Sequence, residues 1–268
     1  MKKTNTIVLL TDFGKENNFV GVMKGVILGI NPCVQMVDLT HGVGAHALEA
    51  AAFILWQSFS YFPHQTVFLA VVDPGVGSLR APLAVQTRHY FFVGPDNGIL
   101  SMAAQADGIK KIAVLQNGRY FLKHISSTFH GRDIFAPVAA YLSRGVPFSK
   151  IGKRVNSIKE IPFPLPVIKE DTLEGSIVYA DTFGNLITNI KEDVFKKFLH
   201  GRTFVAYLKN KTIKKIYSCY AHAQMREPFF IVGSSLFLEI SLKVASAKDY
   251  FSLGYIEQQT IIVKSRAA

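Results

Sequence analysis

The feature that most constrains the fold is an alternation, over the first 145 residues, between short apolar runs of β type and amphipathic runs of helical length. Strands are predicted over 6–11, 34–39, 66–73, 82–87, 89–94 and 111–116. Helices are predicted over 18–30, 47–61, 98–106 and 132–144. Strands separated by helices of this length predict a mostly parallel sheet whose two faces are covered by helices.

A proline-rich segment, IPFPLP at 161–166, ends this alternation. Its three prolines stand at alternate positions, which disfavours both helix and central strand and keeps the backbone extended. Short β-type runs separated by turn residues follow at 174–180, 185–190, 203–209, 228–233, 236–243 and 255–264. We therefore predict an α/β domain over 1–161, a linker over 162–166 and a smaller, mainly antiparallel β domain over 167–268.

Hydrophobicity and cysteine content narrow the class of protein. With 49% hydrophobic and 18% charged residues, the chain can bury a substantial core and is predicted to be globular. No run approaches the ~20 apolar residues of a membrane-spanning helix, and the run over 7–10 is too short for a secretory signal. Cys33 and Cys219 are too few for a disulfide framework or a metal cluster. We expect a cytoplasmic protein with no membrane partner and no bound metal.

The net charge of +11 raises the question of a nucleic acid partner. The excess is spread along the chain, because residues 1–165 carry 16 basic and 9 acidic side chains and residues 166–268 carry 14 and 10. The densest basic region, 191–215, is predicted to form a helix and an exposed hairpin whose lysines face solvent. We expect no nucleic acid partner, with an RNA-binding surface as the alternative.

Three polar clusters lie beside the ends of predicted elements. The segment VVDPGVGSLR, 71–80, ends an apolar run on an aspartate, a Pro-Gly turn and an arginine. In IVLLTDFG, 7–14, an apolar run also ends on an aspartate and is closed by a glycine. The segment FHGRDIFAPVAAYL, 129–142, places a histidine before a helical pattern. Because ligand sites in open α/β sheets lie at the carboxyl ends of strands, these clusters predict one convergent site.

These segments closely resemble the S-adenosylmethionine (SAM) hydroxide adenosyltransferases, adenosine-forming SAM hydrolases that are related to the fluorinase and chlorinase enzymes. Further matching segments are FFVGPDNGIL, DTFGNLITNI and GSSLFLEI, at 91–100, 181–190 and 233–240. The resemblance implies hydrolysis of SAM to adenosine and L-methionine by attack of water at C5′, with SAM as substrate and no cofactor. It also implies a homotrimer whose nucleoside site lies between the first domain of one subunit and the second domain of its neighbour.

Within this resemblance, the catalytic triad of the family falls on Asp73, Arg80 and His130. Positioning of the reacting groups alone can lower such a barrier by roughly 7 to 11 kcal/mol at best, so the alignment of one water matters most. Asp73 is expected to orient the water or accept its proton, and His130 to share that task. Arg80 is expected to hold Asp73 ionised and to donate to the developing hydroxide.

The resemblance also implies residues that contact the substrate. Asp12 matches an aspartate that accepts hydrogen bonds from the two ribose hydroxyls. Phe183 and Asn185 match positions at the adenine, where an aromatic face and an amide suit a purine. The other expected contacts are Asp181 with the methionine amine, Ser234 or Ser235 with the methionine carboxylate, and Asn97 lining or bracing the pocket.

Other interpretations of these residues stay open. Asp12 is also suited to cap the following helix, the DTFGN segment to form an ordinary β-turn, and His130 to bond backbone at a helix start. The alternative functions are a SAM-dependent 5′-halogenase that uses chloride and a non-catalytic nucleoside- or RNA-binding module. The fluorinase has a tyrosine where this chain has Asp73, and a carboxylate there repels halide and favours water.

Overall fold

A computed structural model describes residues 5–14, 16–254 and 259–266. The chain divides into two compact units, Met1–Pro162 and Phe163–Ala268. Each unit has its own sheet and its own hydrophobic core. Among the helices that the structure describes, none combines the length and the apolar character needed to cross a membrane.

Within the described residues, the first unit forms a seven-stranded sheet in the order β2-β1-β3-β5-β4-β6-β7. The strands are β1 (Thr6–Thr11), β2 (Gln35–Thr40), β3 (Val67–Val71), β4 (Pro82–Thr87), β5 (Phe91–Pro95), β6 (Ile109–Leu115) and β7 (Gly152–Val155). Neighbours from β2 to β5 run parallel, whereas β4 pairs antiparallel with β5 and β6, and β6 with β7. The connection over 88–90 is too short for a crossover helix, so β4 and β5 form a hairpin.

Helices cover both faces of this sheet, as predicted. They are α1 (Phe19–Ile30), α2 (Leu48–Ser58), α3 (Ser101–Asp107) and α4 (Ala136–Ser143). Ile7 and Leu9 of β1 pack in one core with α1 and α4, and Val8 and Leu10 pack in a second core with α2 and α3. Successive side chains of a strand point to opposite faces, so a strand covered on both sides is apolar at every position.

The register of the parallel strands determines where polar residues emerge. Thr11, the last residue of β1, is the register partner of Val71, the last residue of β3. Both strands are buried along their whole length. Asp12 and Asp73 follow these strand ends by one and two residues, so adjacent strands bring the two carboxylates to the same edge of the sheet.

The second unit is built on an antiparallel-rich sheet. The described strands are β8 (Val167–Lys169), β9 (Thr172–Ala180), β10 (Leu186–Lys191), β11 (Thr203–Leu208), β12 (Lys211–Ile213), β13 (Ile216–Tyr217), β14 (Phe229–Val232), β15 (Phe237–Ser241) and β16 (Thr260–Arg266). Their order is β12-β11-β16-β9-β10-β15-β14-β13, with β8 on β9, and among these pairs β13–β14 is parallel. Helices α5 (Glu192–Leu199) and α6 (Ala247–Tyr250) complete the unit.

The predicted fold class, α/β with a smaller antiparallel-rich β unit, is confirmed by these two sheets. The basic region 191–215 forms the predicted helix, α5, and the β11–β12 hairpin. Of the predicted last strand, 255–264, residues 255–258 lie outside the described part of the chain, and β16 begins at Thr260.

Candidate functional site

The first polar cluster lies in the loop that follows β3. After the buried Val72, Asp73 begins a tight turn in which its carbonyl oxygen accepts from Val76 N. The chain then returns so that Arg80 faces Asp73, with Nε donating to Oδ1 over 2.9 Å and Nη2 donating to Oδ2 over 2.5 Å. Each of the two side chains is only 6% exposed. The pair is therefore a buried, bidentate ion pair.

A π turn over Gly131–Phe135 places His130 beside this pair. The turn closes through a hydrogen bond from Ala136 N to Gly131 O, one residue longer than the repeat of an α-helix, and α4 continues from it. Arg80 Nη2 lies 2.7 Å from His130 Nδ1. The structure thus brings together the three residues Asp73, Arg80 and His130, although their catalytic roles remain a prediction.

Arginine fixes the protonation state of the histidine in this cluster. A guanidinium has only donors, so His130 Nδ1 must accept from Arg80 Nη2, and the neutral ring then carries its proton on Nε2. Burial and the Arg80 charge lower the pKa of His130, against smaller opposing effects of Asp73 and Asp133. Both N–H groups of Nη2 and the Nε N–H of Arg80 are in use.

The remaining donors of Arg80 are on Nη1. This atom is buried and has no hydrogen-bond partner among the residues that the structure describes. A buried donor without a partner costs about 1–3 kcal/mol, more when it is charged. Nη1 therefore carries two N–H groups without a described partner, next to a carboxylate and an imidazole N–H, and these groups are closed to solvent in this structure.

Two loops touch to hold this geometry. Gly77 has φ +77°, and a Cβ there would lie 2.5 Å from the Ser127 carbonyl oxygen. The loop that carries Ser127 is fixed in turn, since Ser126 N donates over 2.7 Å to Asp133, a carboxylate with no exposure. Arg132 also pairs with Asp133, with Nε 2.6 Å from Oδ1. Arg132 and Asp133 thus brace the segment before His130.

Asp12 lies at the end of β1 and does not cap the following helix. Helix α1 has Asn18 at its N-cap and no side-chain hydrogen bond there. Asp12 Oδ2 instead accepts from His46 N over 3.1 Å. The neighbouring Phe13 ring packs edge-on against Phe129, with ring centroids 5.9 Å apart, so the loop of Asp12 contacts the segment of His130.

The Asn97 side chain forms hydrogen bonds with backbone groups in this structure. Its Nδ2 donates to Val72 O over 2.8 Å, and its Oδ1 accepts from Ile99 N over 3.3 Å. The amide braces the end of β3 just before Asp73. A direct contact between Asn97 and substrate stays a prediction.

The second unit contains a cavity of about 1000 Å³ to which several of the other predicted contacts belong. Asp181, Phe183, Asn185 and Ser234 line it, and Phe183 is 79% exposed. Ser235 is not among its lining residues. The residues of this unit that were predicted to contact the adenine or methionine part of the substrate therefore line one cavity. Of the two serines, Ser234 is the one that lines it.

The DTFGN segment, 181–185, forms the turn that was the alternative interpretation of its sequence. Asp181 Oδ1 accepts from Phe183 N over 2.9 Å and from Asn185 N over 2.8 Å, and Oδ2 accepts from Asn185 Nδ2 over 2.8 Å. Gly184 adopts φ +82° within the turn. Both carboxylate oxygens of Asp181 therefore stabilise the loop that presents Phe183, and a contact with the methionine amine stays a prediction.

Sequence reasoning missed Glu239 and Tyr220, which also line this cavity. Burial, and then the charge of Asp181, raise the pKa of Glu239. Tyr220 OH lies 3.4 Å from Glu239 Oε2. The available signal was an acidic residue inside the apolar strand FLEIS, β15, where a charge without a function is costly.

Among the residues that the structure describes, no three His, Cys, Asp or Glu side chains group as a metal site requires. That the protein uses no cofactor stays a prediction.

Comparison with known proteins gives consistent results for both units. The SAM hydroxide adenosyltransferase N-terminal domain matches residues 7–152, and the C-terminal domain of the same family matches residues 175–260. An (R)-S-adenosyl-L-methionine hydrolase of Methanocaldococcus jannaschii is 33% identical over 96% of this chain and 95% of its own length. A fluorinase of an Actinoplanes species is more distant, with 24% identity over 71% of this chain and 73% of its own.

A solved structure extends the comparison to the fold. The crystal structure of an uncharacterized conserved protein from Thermotoga maritima superimposes with a TM-score of 0.88 and 34% identity, covering 96% of this chain and 99% of that one. The domain matches and the relative from M. jannaschii span nearly the whole sequence. The chain therefore belongs to the SAM hydroxide adenosyltransferase family.

Proposed function

We propose that this protein hydrolyses SAM to adenosine and L-methionine, with water as the nucleophile at C5′. The observation that carries the proposal is the cluster of Asp73, Arg80 and His130, in which the Asp73–Arg80 pair is buried and Arg80 Nη1 has donors without a partner among the described residues. The named activity of the M. jannaschii relative, an (R)-S-adenosyl-L-methionine hydrolase, supports it.

The reaction balances without a further reactant. The water oxygen forms a bond to C5′ while the bond between C5′ and the sulfonium breaks, and sulfur keeps the electron pair as the neutral thioether of methionine. The water proton passes to Asp73, whose oxygens each retain acceptor capacity beyond the bond to Arg80. Release of that proton to solvent restores the carboxylate.

The hydrogen bonds among Asp73, Arg80 and His130 give each residue a different role in the proposed reaction. Since His130 Nδ1 accepts from Arg80, its Nε2–H donates to the attacking oxygen and holds it, and Asp73 alone takes the proton. Arg80 Nη1 stabilises the developing hydroxide charge, an effect that is large in a site of low dielectric. The sequence predicted that His130 shares the proton transfer with Asp73. In this proposal His130 only holds the water, and Asp73 alone accepts the proton.

Substrate contacts complete the proposal. Asp12 accepts from the ribose hydroxyls, Phe183 stacks on the adenine, and Asn185 and Ser234 contact the adenine and methionine portions. In the same proposal Asp181 contacts the methionine amine, Ser234 or Ser235 contacts the methionine carboxylate, and Asn97 lines or braces the pocket. No cofactor takes part in it.

The test is the fate of oxygen-18 water. Purified protein is incubated with SAM in labelled water that contains chloride, and the products are identified by mass spectrometry. We expect adenosine with one labelled oxygen at C5′, together with unlabelled methionine. Asp73→Asn, the control, keeps the size of the side chain and removes its charge, and we expect turnover to fall by about 10²–10⁴. Formation of 5′-chloro-5′-deoxyadenosine, or the absence of either product, contradicts the proposal.

A homotrimer and a cytoplasmic location belong to the proposal as well. Large apolar side chains are exposed beside the predicted site residues, with Leu79 fully exposed and Val244 at 88%. Single exposed apolar side chains do not indicate an interface by themselves, so the homotrimer is proposed from the family resemblance. Light scattering after size exclusion should give three times the mass of the 29.7 kDa chain, and a monomer mass overturns this part alone.

A further inference from the structure

A second polar cluster of the first unit lies beneath the loop of Asp12. Thr11 Oγ1 lies 2.8 Å from His41 Nδ1, and both residues are buried, at 0% and 4% exposure. On the other side of the ring, His41 Nε2 lies 3.0 Å from Asp38 Oδ1, an electrostatic contact without ideal hydrogen-bond alignment. Lys24 Nζ, 2.6 Å from Asp38 Oδ2, ends the series at the surface.

The chemistry of the groups orients these contacts. A carboxylate next to Nε2 favours a proton on that nitrogen, which leaves Nδ1 as the acceptor of the Thr11 hydroxyl proton. The Thr11 oxygen then accepts from Phe13 N, 3.3 Å away. Burial opposes the ionisation of Asp38, but the hydrogen bond from Lys24 and the contact with His41 outweigh it and lower the pKa of this carboxyl.

Thr11, His41 and Asp38 have the composition of a nucleophilic triad, but the geometry excludes that function. Thr11 has no exposed surface, so a substrate does not reach its oxygen. The same oxygen is already used by Phe13 N. A nucleophile must be free to approach the atom that it attacks. The cluster therefore acts on its own backbone.

That backbone is the loop that carries Asp12. Phe13 N is held by Thr11 Oγ1, and Gly14 N donates over 2.8 Å to the carbonyl oxygen of His41. His46, five residues after His41, donates its backbone N–H to Asp12 Oδ2. The residues on both sides of Asp12, and its carboxylate, are thus tied to the segment that follows β2.

We propose that His41 is a positioning residue for the ribose-binding carboxylate: through Thr11 and its own carbonyl group it fixes the loop so that Asp12 accepts from the vicinal hydroxyls of a ribonucleoside. This rests on the proposed function, in which Asp12 binds ribose. Asp38 orients the His41 ring, and Lys24 contributes little because its pair with Asp38 is partly exposed, at 29% and 43%.

The test measures discrimination between adenosine and 2′,3′-dideoxyadenosine, as the ratio of their Kd values by calorimetry. Thr11→Val removes the hydroxyl at nearly constant shape, and Thr11→Ser retains it. We expect Thr11→Val to reduce the ratio by about tenfold, the worth of a hydrogen bond to a charged group, and Thr11→Ser to leave it within about threefold of the wild type. A structural role without positioning would lower stability in Thr11→Val and leave the ratio unchanged, which overturns the proposal.

Surface variants provide a second measurement if Thr11→Val does not fold. Asp38→Asn acts from a side chain that is 43% exposed, and Lys24→Gln removes the outer ion pair only. We expect Asp38→Asn to reduce the ratio and Lys24→Gln to preserve it. Equal ratios in both variants and the wild type overturn the proposal.

Failure of the proposed function is recognised separately. Wild-type protein that produces adenosine from SAM while Thr11→Val discriminates normally contradicts the role of His41 alone. Wild-type protein that discriminates between the nucleosides but does not produce adenosine contradicts hydrolysis, and a reduced ratio in Thr11→Val then still supports the role of His41. Wild-type protein that binds the two nucleosides equally contradicts both roles, since Asp12 then does not recognise the ribose.

Discussion

Arg80 connects the chemistry of the candidate triad because one of its nitrogens serves two partners. Nη2 donates to Asp73 Oδ2 and to His130 Nδ1. Since a guanidinium only donates, the imidazole must be unprotonated at Nδ1 for the second of these bonds to exist. A protonated His130 would direct an N–H at Arg80, and the repulsion between two cations would be added to the cost of burying them. The triad has one protonation state in which every contact is favourable.

The first prediction concerns the pH dependence of turnover. The ordinary pKa of histidine is about 6.5, and burial together with the Arg80 charge lowers the pKa of His130. A lowered pKa means that the neutral, active form persists below pH 6.5 and is lost only as the pH falls through the shifted value. We expect kcat/KM to be level near neutral pH and to decline with a midpoint below 6.5. An acid limb centred above 6.5 contradicts the assignment.

Substitutions of His130 distinguish a donor from a base. In His130→Gln the amide oxygen can accept from Arg80 and the amide N–H can donate to the nucleophile, so the role of the neutral ring is partly retained. We expect His130→Gln to exceed His130→Ala in kcat by about tenfold and to shift the onset of the acid decline to lower pH. His124→Gln, an exposed residue of the preceding loop, is the matched control and should keep the wild-type profile. Equal activity of the Gln and Ala variants supports a base instead.

Loops and one irregular turn determine the site at the level of elements. The segment after β3 and the segment before α4 meet where Gly77 lies against the Ser127 carbonyl. The π turn shifts His130 by one residue relative to a regular helix start, which directs its ring to Arg80. The geometry of Arg80 and His130 thus depends on a backbone contact that only glycine permits.

The second prediction tests that contact. Gly77→Ala adds a Cβ 2.5 Å from the Ser127 oxygen at φ +77°, so the two loops must separate and the bond between Arg80 and His130 must lengthen. We expect kcat to fall by about 10²-fold, the loss that a displacement of about 1 Å can cause. Gly201→Ala is the control, since Gly201 has φ +81° and nothing within 4 Å of its added Cβ. It should lose stability by about 1–3 kcal/mol and keep its kcat, and similar losses of kcat in both variants contradict the contact.

Much of this architecture could be predicted from the chain, and the exceptions have physical causes. The ranges 6–11 and 82–87 coincide with β1 and β4, because short apolar runs of β type bounded by turn residues indicate strands. Strand β7 was missed since GKRV is short, charged and without alternation. The antiparallel direction of β4 was missed as well, because its connection to β5, RHY at 88–90, has none of the Gly, Pro, Asn or Asp residues that indicate a hairpin.

The candidate site was predictable to a different extent. Because Asp12 and Asp73 each follow a predicted strand, the sequence predicted that they lie at one edge of the sheet. The register of β1 and β3 confirms this placement. Arg80 and His130 are fifty residues apart in the sequence, and their contact depends on the π turn before α4. Both the contact and the turn result from tertiary packing, which local sequence patterns do not predict. The contact between Thr11 and His41 could not be predicted either, since no spacing rule relates a hydroxyl at a strand end to a histidine thirty residues later.

At the scale of the whole molecule, the charge of +11 is the remaining feature that a small-molecule enzyme does not require. It is distributed over both units rather than concentrated in a tail, and α5 illustrates its form. There Lys196 and Lys197 are exposed while Phe195 and Phe198 are buried, and Lys196 pairs with Glu192 over 2.6 Å. Such a surface attracts polyanions weakly and without sequence preference, through a field that salt screens.

The third prediction follows from this distribution and separates an enzyme from a nucleic acid-binding module. Few phosphates can be contacted at once by scattered lysines, so we expect single-stranded RNA to bind at about 50 mM KCl and to bind about tenfold or more weakly at about 200 mM. Turnover of SAM should change less than about twofold over the same range, because the Asp73–Arg80 pair is buried and screened little by salt. Fluorescence anisotropy and steady-state kinetics provide the two measurements.

A matched pair of variants completes this test. The double substitution Lys196→Glu and Lys197→Glu reverses exposed charge on α5 and should weaken RNA binding at low salt while turnover is retained. Phe183→Ala removes an exposed aromatic ring of the cavity in the second unit, and it should impair the binding of adenosine without changing the binding of RNA. RNA binding that persists at 200 mM KCl and disappears in Phe183→Ala would mean that the ring stacks on bases of a strand, and a binding module would then be the better account of this surface.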